Sequence, residues 1–195
     1  MIQLLRNTLS DLIGSQIDSD GIQQRGIADK IEESVCNKIK MINVSGLLVE
    51  DASSKRSLED IQVTDENGNL YKLDIKTHDI NADFSMPNMV SVARLLNFYK
   101  EESNNLAYIF VDYKEINNVT EITNITIRLV EELSWDMLAI QNLGKGQLQI
   151  KDMNSELIFI EPNREEWINQ LKVNMVKHYN KTIIKFQKYI NSIEM

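Results

Sequence analysis

Ser57-Leu-Glu-Asp-Ile-Gln-Val-Thr-Asp-Glu-Asn-Gly-Asn-Leu-Tyr-Lys-Leu-Asp-Ile-Lys76 reads as two strands folded back on each other. Ser57 to Thr64 and Leu70 to Lys76 carry the alternating apolar residues of half-buried strands. Asp65-Glu-Asn-Gly-Asn69 joins them, and its Asn-Gly pair is a strong hairpin signal because glycine accepts positive φ at no steric cost. Closing the hairpin brings Asp60 beside Asp74. Lys76 shares a face with Asp74, since strand side chains alternate with a period of two. Leu73 and Ile75 take the other face, so the strand can bury one side and present acid and ammonium on the other. Of the neighbours Glu59 and Asp60, Asp60 is the expected site residue, because it lies opposite Ile61 and Val63, which serve as strand core. Two carboxylates beside an ammonium suit a hard divalent cation and a water nucleophile.

Outward from the hairpin, the rest of the chain is ordinary for a globular protein. Its 195 residues, 43% hydrophobic and 26% charged, fit one domain spanning residues 1–195. One cysteine, Cys36, excludes an intramolecular disulfide and a cysteine-built zinc site. No apolar run is long enough for a bilayer, and the opening Met-Ile-Gln-Leu-Leu-Arg lacks a signal-peptide pattern. The expected location is the cytoplasm, with no membrane partner. A net charge of −8 argues by itself against nucleic acid. Binding depends on the local face, however, and a cation would partly neutralise an acidic site. Lys172, Lys177, Lys181, Lys185 and Lys188 gather in the last helix, where they read either as a solvated face or as a basic one.

Helical spacing of Ile2, Leu5, Leu9, Leu12 and Ile13 predicts an opening amphipathic helix, and Ile27, Ile31, Val35 and Ile39 predict a second from Ile27 to Met41. Pro87-Asn88 introduces a helix through Val92, Leu95, Leu96 and Phe98. Leu106–Val111 and Ile122–Val130 read as strands, as do segments near Gln147–Ile150 and Leu157–Ile160. Asn163-Arg-Glu-Glu166 is a capping-box pattern that opens a long last helix. The expected fold class is α/β, a mixed central β-sheet flanked by helices.

The carboxylate, hairpin and Asp74-Ile-Lys76 resemble the core motif of the PD-(D/E)xK nucleases. Asp74-Ile-Lys-Thr-His, Phe84-Ser-Met-Pro-Asn88 with Val90-Ser-Val, Trp135 through Gln141 to Gln149-Ile-Lys-Asp152, Leu12-Ile-Gly-Ser-Gln16 and Arg164-Glu-Glu-Trp167 narrow the resemblance. They are similar to stretches of the type II restriction endonucleases of the HincII and EcoRV kind, over about residues 9 to 190. Glu59 stands where the family pattern has proline.

The resemblance implies a restriction-endonuclease-like fold and Mg²⁺-dependent hydrolysis of double-stranded DNA at a short palindrome, leaving 5′-phosphate ends. Asp60, Asp74 and the Ile75 carbonyl would hold Mg²⁺, with Mn²⁺ as a substitute, and Lys76 would position the attacking water. Glu32 borders the apolar stripe of its helix and could reach the site, Glu33 points further away, and either reads equally well as a solvated acid. The loop around Asn142-Leu-Gly-Lys-Gly146 offers groups that read base edges, which makes Gln141, Asn142, Lys145 and Gln147 the candidates, unless the loop is an ordinary glycine turn. By analogy Phe84, Ser85 and Met86 approach the minor groove, with Phe84 and Met86 equally readable as core anchors. His78 reads as a phosphate contact or a packed group. A homodimer and a cognate DNA methyltransferase in a bacterial or archaeal cytoplasm complete the expectation. Two other readings compete, a structure-selective or repair nuclease and a non-catalytic DNA-binding module. Retention of both Asp74 and Lys76 weighs against the second.

Overall fold

The computed structural model describes residues 1–54, 57–83 and 85–193. In chain order the elements are α1 (Ile2–Leu9), β1 (Gln16–Asp18), α2 (Gln24–Lys40), β2 (Leu48–Asp51), β3 (Ile61–Thr64), β4 (Leu70–Asp79), β5 (Asn88–Ser91), α3 (Val92–Phe98), β6 (Asn104–Ile116), β7 (Val119–Leu129), β8 (Leu138–Gln141), β9 (Gln147–Ile150) and α4 (Arg164–Ile193). The hairpin forms as its turn dictates. Asp65 Oδ1 accepts the N–H groups of Asn67 and Asn69 at 3.0 and 2.9 Å, and Gly68 takes φ +79°. Thr64 then pairs with Leu70 and Ile61 with Leu73.

β3 and β4 belong to a six-stranded sheet ordered β1-β7-β6-β4-β3-β2. β4 runs parallel to β6 through α3, and the other neighbours are antiparallel, so the sheet is mixed as expected. The unbroken run Leu106–Val111 is buried at every position because β6 is covered on both faces. Ala107, Ile109 and Val111 join Leu73 and Ile75 in a core packed with α1 and α2. Leu106, Tyr108 and Phe110 face the other way, into a core with α3, α4 and a small sheet ordered β5-β9-β8. Among the described residues no helix is long and apolar enough to cross a membrane.

Some boundaries differ from the sequence reading. The first hairpin strand begins at Ile61 and not at Ser57, whose N–H donates to the Ser54 carbonyl at 3.0 Å and whose hydroxyl accepts the Ser54 N–H, so that it is held to Ser54 and not to β4. α2 begins three residues early, at Gln24. Val90 and Ser91 are strand, not helix, since Asn88 and Ser91 pair with Gln149 and Gln147. Leu157–Ile160 is an isolated bridge, Leu133 to Phe159, and not a strand. The short strands β1, β2 and β8 carried no periodic signal.

Candidate active site

β4 is longer than its partner on one side. β3 covers only Leu70–Leu73, whereas β6 accompanies β4 all the way to Asp79. From Asp74 onward the edge facing β3 is therefore open to a side chain. Asp60 fills part of it. Its N–H donates to the Leu73 carbonyl at 2.9 Å, and its Oδ2 accepts the Ile75 N–H at 2.7 Å. A strand residue sends its N–H and C=O to the same edge, so the Ile75 carbonyl also faces the edge that Asp60 occupies.

Asp74 and Lys76 project together from the sheet face that carries Tyr108 and Phe110, their register partners on β6. The Lys76 ammonium lies 2.6 Å from Asp74 Oδ2. Apart from that ion pair, Asp74 Oδ2 is buried. Burial, opposed by Lys76 and reinforced by the charges of Asp60 and Glu32, raises the Asp74 carboxyl from 3.8 to about 7. Glu32 reaches the same neighbourhood from α2. Its carboxyl is raised by burial first, then by Asp60 and Asp29. Cys36, one turn further along α2, is pushed up to about 12 by burial and by the charges of Asp60 and Glu32.

Glu59 takes a different role from Asp60. It is buried and accepts a 2.8 Å hydrogen bond from Lys72 Nζ through Oε2, while its Oε1 is buried without a partner. A cavity of about 680 Å³ opens where Asp29, Glu32, Asp51, Glu59 and Asp60 converge. This donor set consists of hard oxygen ligands with excess negative charge, which fits a divalent cation such as Mg²⁺. Among the described residues no three His, Cys, Asp or Glu side chains form a ready-made metal shell. Mg²⁺ needs none, since it takes one or two carboxylates and fills its octahedron with waters and substrate phosphates.

No protein-family model matches the chain, and no curated protein matches it. Among solved structures, the NlaIV restriction endonuclease is similar, with a TM-score of 0.61 at 12% sequence identity over 88% of this chain and 78% of that one. The fold is similar to that of a restriction endonuclease.

Within this restriction-endonuclease-like fold the other sequence candidates separate. Gln141 and Gln147 end β8 and begin β9 as paired residues, so the glycine loop is the tip of a hairpin. Asn142 and Lys145 are exposed on it, and the loop rests on α4 through Tyr179, whose hydroxyl donates to the Lys145 carbonyl, and Thr182, which donates to Asn142 Oδ1 at 3.0 Å. Ser85 and Met86 are half-buried, their carbonyls accepting from the Met153 N–H and from Gln149 Nε2, both at 2.8 Å. Phe84 lies outside the described residues. His78 is buried, with Nδ1 3.0 Å from Asp112 Oδ1 and Nε2 2.6 Å from Asn154 Oδ1. With both ring nitrogens occupied it is committed to packing, and this geometry does not offer it to a phosphate. Glu33 is exposed on α2.

Sequence reasoning missed the opening of α2. Gln24, Arg25 and Ala28 line a second cavity, of about 380 Å³, with Thr77 and Ser85. It flanks the open edge of β4, and helical spacing carries the same face of α2 on to Asp29 and Glu32. The signal was present in that spacing, but it pointed nowhere until β4 was placed beside α2.

Proposed function

We propose that this protein is an Mg²⁺-dependent nuclease that hydrolyses phosphodiester bonds in double-stranded DNA, and specifically a type II restriction endonuclease. The observation that carries the reading is the grouping of Asp60, Asp74 and Lys76 at the open edge of β4, within a restriction-endonuclease-like fold. Asp60, Asp74 and the Ile75 carbonyl would hold the cation, with Mn²⁺ able to substitute. When bound, the cation supplies Lewis acidity toward the phosphate oxygens and lowers the pKa of water. Lys76 orients the attacking water and offsets charge growing on the scissile phosphate. Glu32, with its raised carboxyl, accepts a hydrogen bond from water at the cleft. The products carry a 5′-phosphate and a 3′-hydroxyl.

In this reading Asn142 and Lys145 at the β8–β9 tip, with Gln141 and Gln147 at its base, read bases in the major groove, and the segment around Ser85 approaches the minor groove. Two copies act on a short palindrome. The cell's own DNA is protected by a methyltransferase that modifies the same site, and the setting is the cytoplasm. The test is digestion of several unmethylated phage DNAs with Mg²⁺ or EDTA, beside Asp74→Ala. Discrete bands that require Mg²⁺ and vanish in the variant are expected. A smear would replace site specificity with a structure-selective or repair activity on the same fold. DNA left intact by both proteins would sink the nuclease reading.

A further inference from the structure

The end of α4 leaves the body of the protein. The helix is 30 residues long, about 45 Å. It is held to the body as far as Tyr179 and Thr182, on the β8–β9 loop, and every residue from Ile183 to Ile193 is exposed. Ile183, Phe186, Tyr189 and Ile193 are left between 61% and 65% open. The eleven projecting residues 183–193 are too few for a helix stable on its own in water, and a row of bare apolar side chains calls for a covering partner.

The pattern of that row identifies the partner. Val176, Tyr179, Ile183, Phe186, Ile190 and Ile193 follow one another at alternating spacings of three and four, the seam of a heptad repeat. β-Branched residues, Val176, Ile183 and Ile190, occupy every first position of the repeat. Lys177, Lys181, Lys185 and Lys188 fall on the opposite side of the helix. We infer that this seam packs against the same seam of a second copy of the chain.

Four arguments favour a second copy over other occupants. The seam repeats in heptad spacing, as helix pairing needs, with Tyr189 flanking it and Ile184 standing apart from it; a helix lying on a membrane uses a broad continuous apolar face. DNA would engage the lysines and leave the seam bare. The seam itself carries no charge, so two copies bring no like charges together and both lysine rows stay in water. The exposed seam side chains Val176, Ile183, Phe186, Ile190 and Ile193 offer roughly 100 Å² each, so two copies bury about 1,000 Å², the lower bound for a specific interface. The inference gives the dimer of the proposed function a location, but it rests on α4 alone.

Sedimentation equilibrium of the full chain without DNA tests it, and its failure would leave the nuclease reading standing. The wild type should sediment at twice 22.5 kDa. Ile183→Glu with Ile190→Glu should dissociate at least 100-fold more readily, and the milder Phe186→Ser with Ile193→Ser should shift the equilibrium in the same direction. Lys181→Glu with Lys185→Glu, on the opposite side, should leave the dimer intact. Amide exchange should find residues 183–193 protected in the wild type and unprotected in the Ile183/Ile190 variant, with the rest of the chain unchanged. A monomeric wild type, or a dimer that survives both seam variants, overturns the inference. So does a wild type that is monomeric in solution and co-sediments with anionic phospholipid vesicles through Ile183 and Ile190, which would assign the seam to a membrane.

Discussion

Asp74 is the residue whose charge state reports most directly on the site. Its carboxyl is raised from 3.8 to about 7, by burial first. Below pH 3.8 it is protonated in both folded and unfolded chains, and its contribution to stability is fully present. Between pH 3.8 and 7 the unfolded chain ionises first, so that contribution is lost as pH rises, to a total on the order of 4 kcal/mol. Metal-free protein in EDTA should therefore melt at progressively lower temperature from pH 5 to pH 8. Asp74→Asn should flatten that slope and be the more stable protein at pH 8. Equal slopes in the two proteins would mean that Asp74 ionises freely. Cys36, pushed up to about 12, should resist alkylation at pH 8 until the protein is unfolded. That Ile61 and Val63 mark the core side of the strand was legible in the sequence. Glu59's bond to Lys72 was not. Their approach depends on how the chain before β3 folds against β4, which strand alternation does not encode.

At the scale of elements, the docking of α4 depends on its first residues. Asn163 Oδ1 accepts the Glu166 N–H at 3.1 Å, and its Nδ2 donates to the Glu166 carboxylate at 3.2 Å, so the capping pattern read in the sequence is formed, with the return bond made to side-chain nitrogen. Arg164 reaches further. Its Nε donates to the buried Glu131 at 3.0 Å, its Nη1 to the Glu102 carbonyl at 2.9 Å and its Nη2 to Asn105 Oδ1 at 2.7 Å, and the guanidinium lies over the Tyr99 ring. Arg164→Ala leaves Glu131 with only the Tyr99 hydroxyl and should cost about 3 kcal/mol in urea denaturation. Arg164→Lys should recover less than half, since an ammonium cannot span three acceptors in fork geometry. A loss under 1 kcal/mol in Arg164→Ala would show that the other contacts of α4, among them the burial of Trp167 and Leu171, hold it without the Arg164 network. The long elements were legible because the apolar pattern marks α2 and β6 and a capping pattern opens α4. β8 was hidden because Leu138–Gln141 becomes a strand only by pairing with β9, and Val90 reads as helix until Asn88 and Ser91 find the same strand.

For the whole molecule the question is how a chain of net charge −8 approaches DNA. Asp29, Glu32, Asp51, Glu59 and Asp60 converge on one cavity, and the basic residues of α4 lie elsewhere in the chain. Without a cation, this concentration of carboxylates should repel the phosphates that the open edge of β4 would otherwise admit. Two unit charges about 5 Å apart in water interact by roughly 0.8 kcal/mol, about fourfold in an equilibrium constant. Asp60→Asn keeps an acceptor for the Ile75 N–H and removes one of the charges. In EDTA it should therefore bind a DNA duplex about fourfold more tightly than wild type by fluorescence anisotropy, although it would cut nothing when Mg²⁺ is restored. The difference should shrink from 50 to 300 mM salt, because screening shortens the reach of the repulsion. Adding a non-hydrolysing divalent cation should help the wild type more than the variant, because the wild type has the extra charge to neutralise. Equal affinities in EDTA at low salt would place the bound duplex away from the open edge of β4, and with it the scissile phosphate away from Asp74 and Lys76.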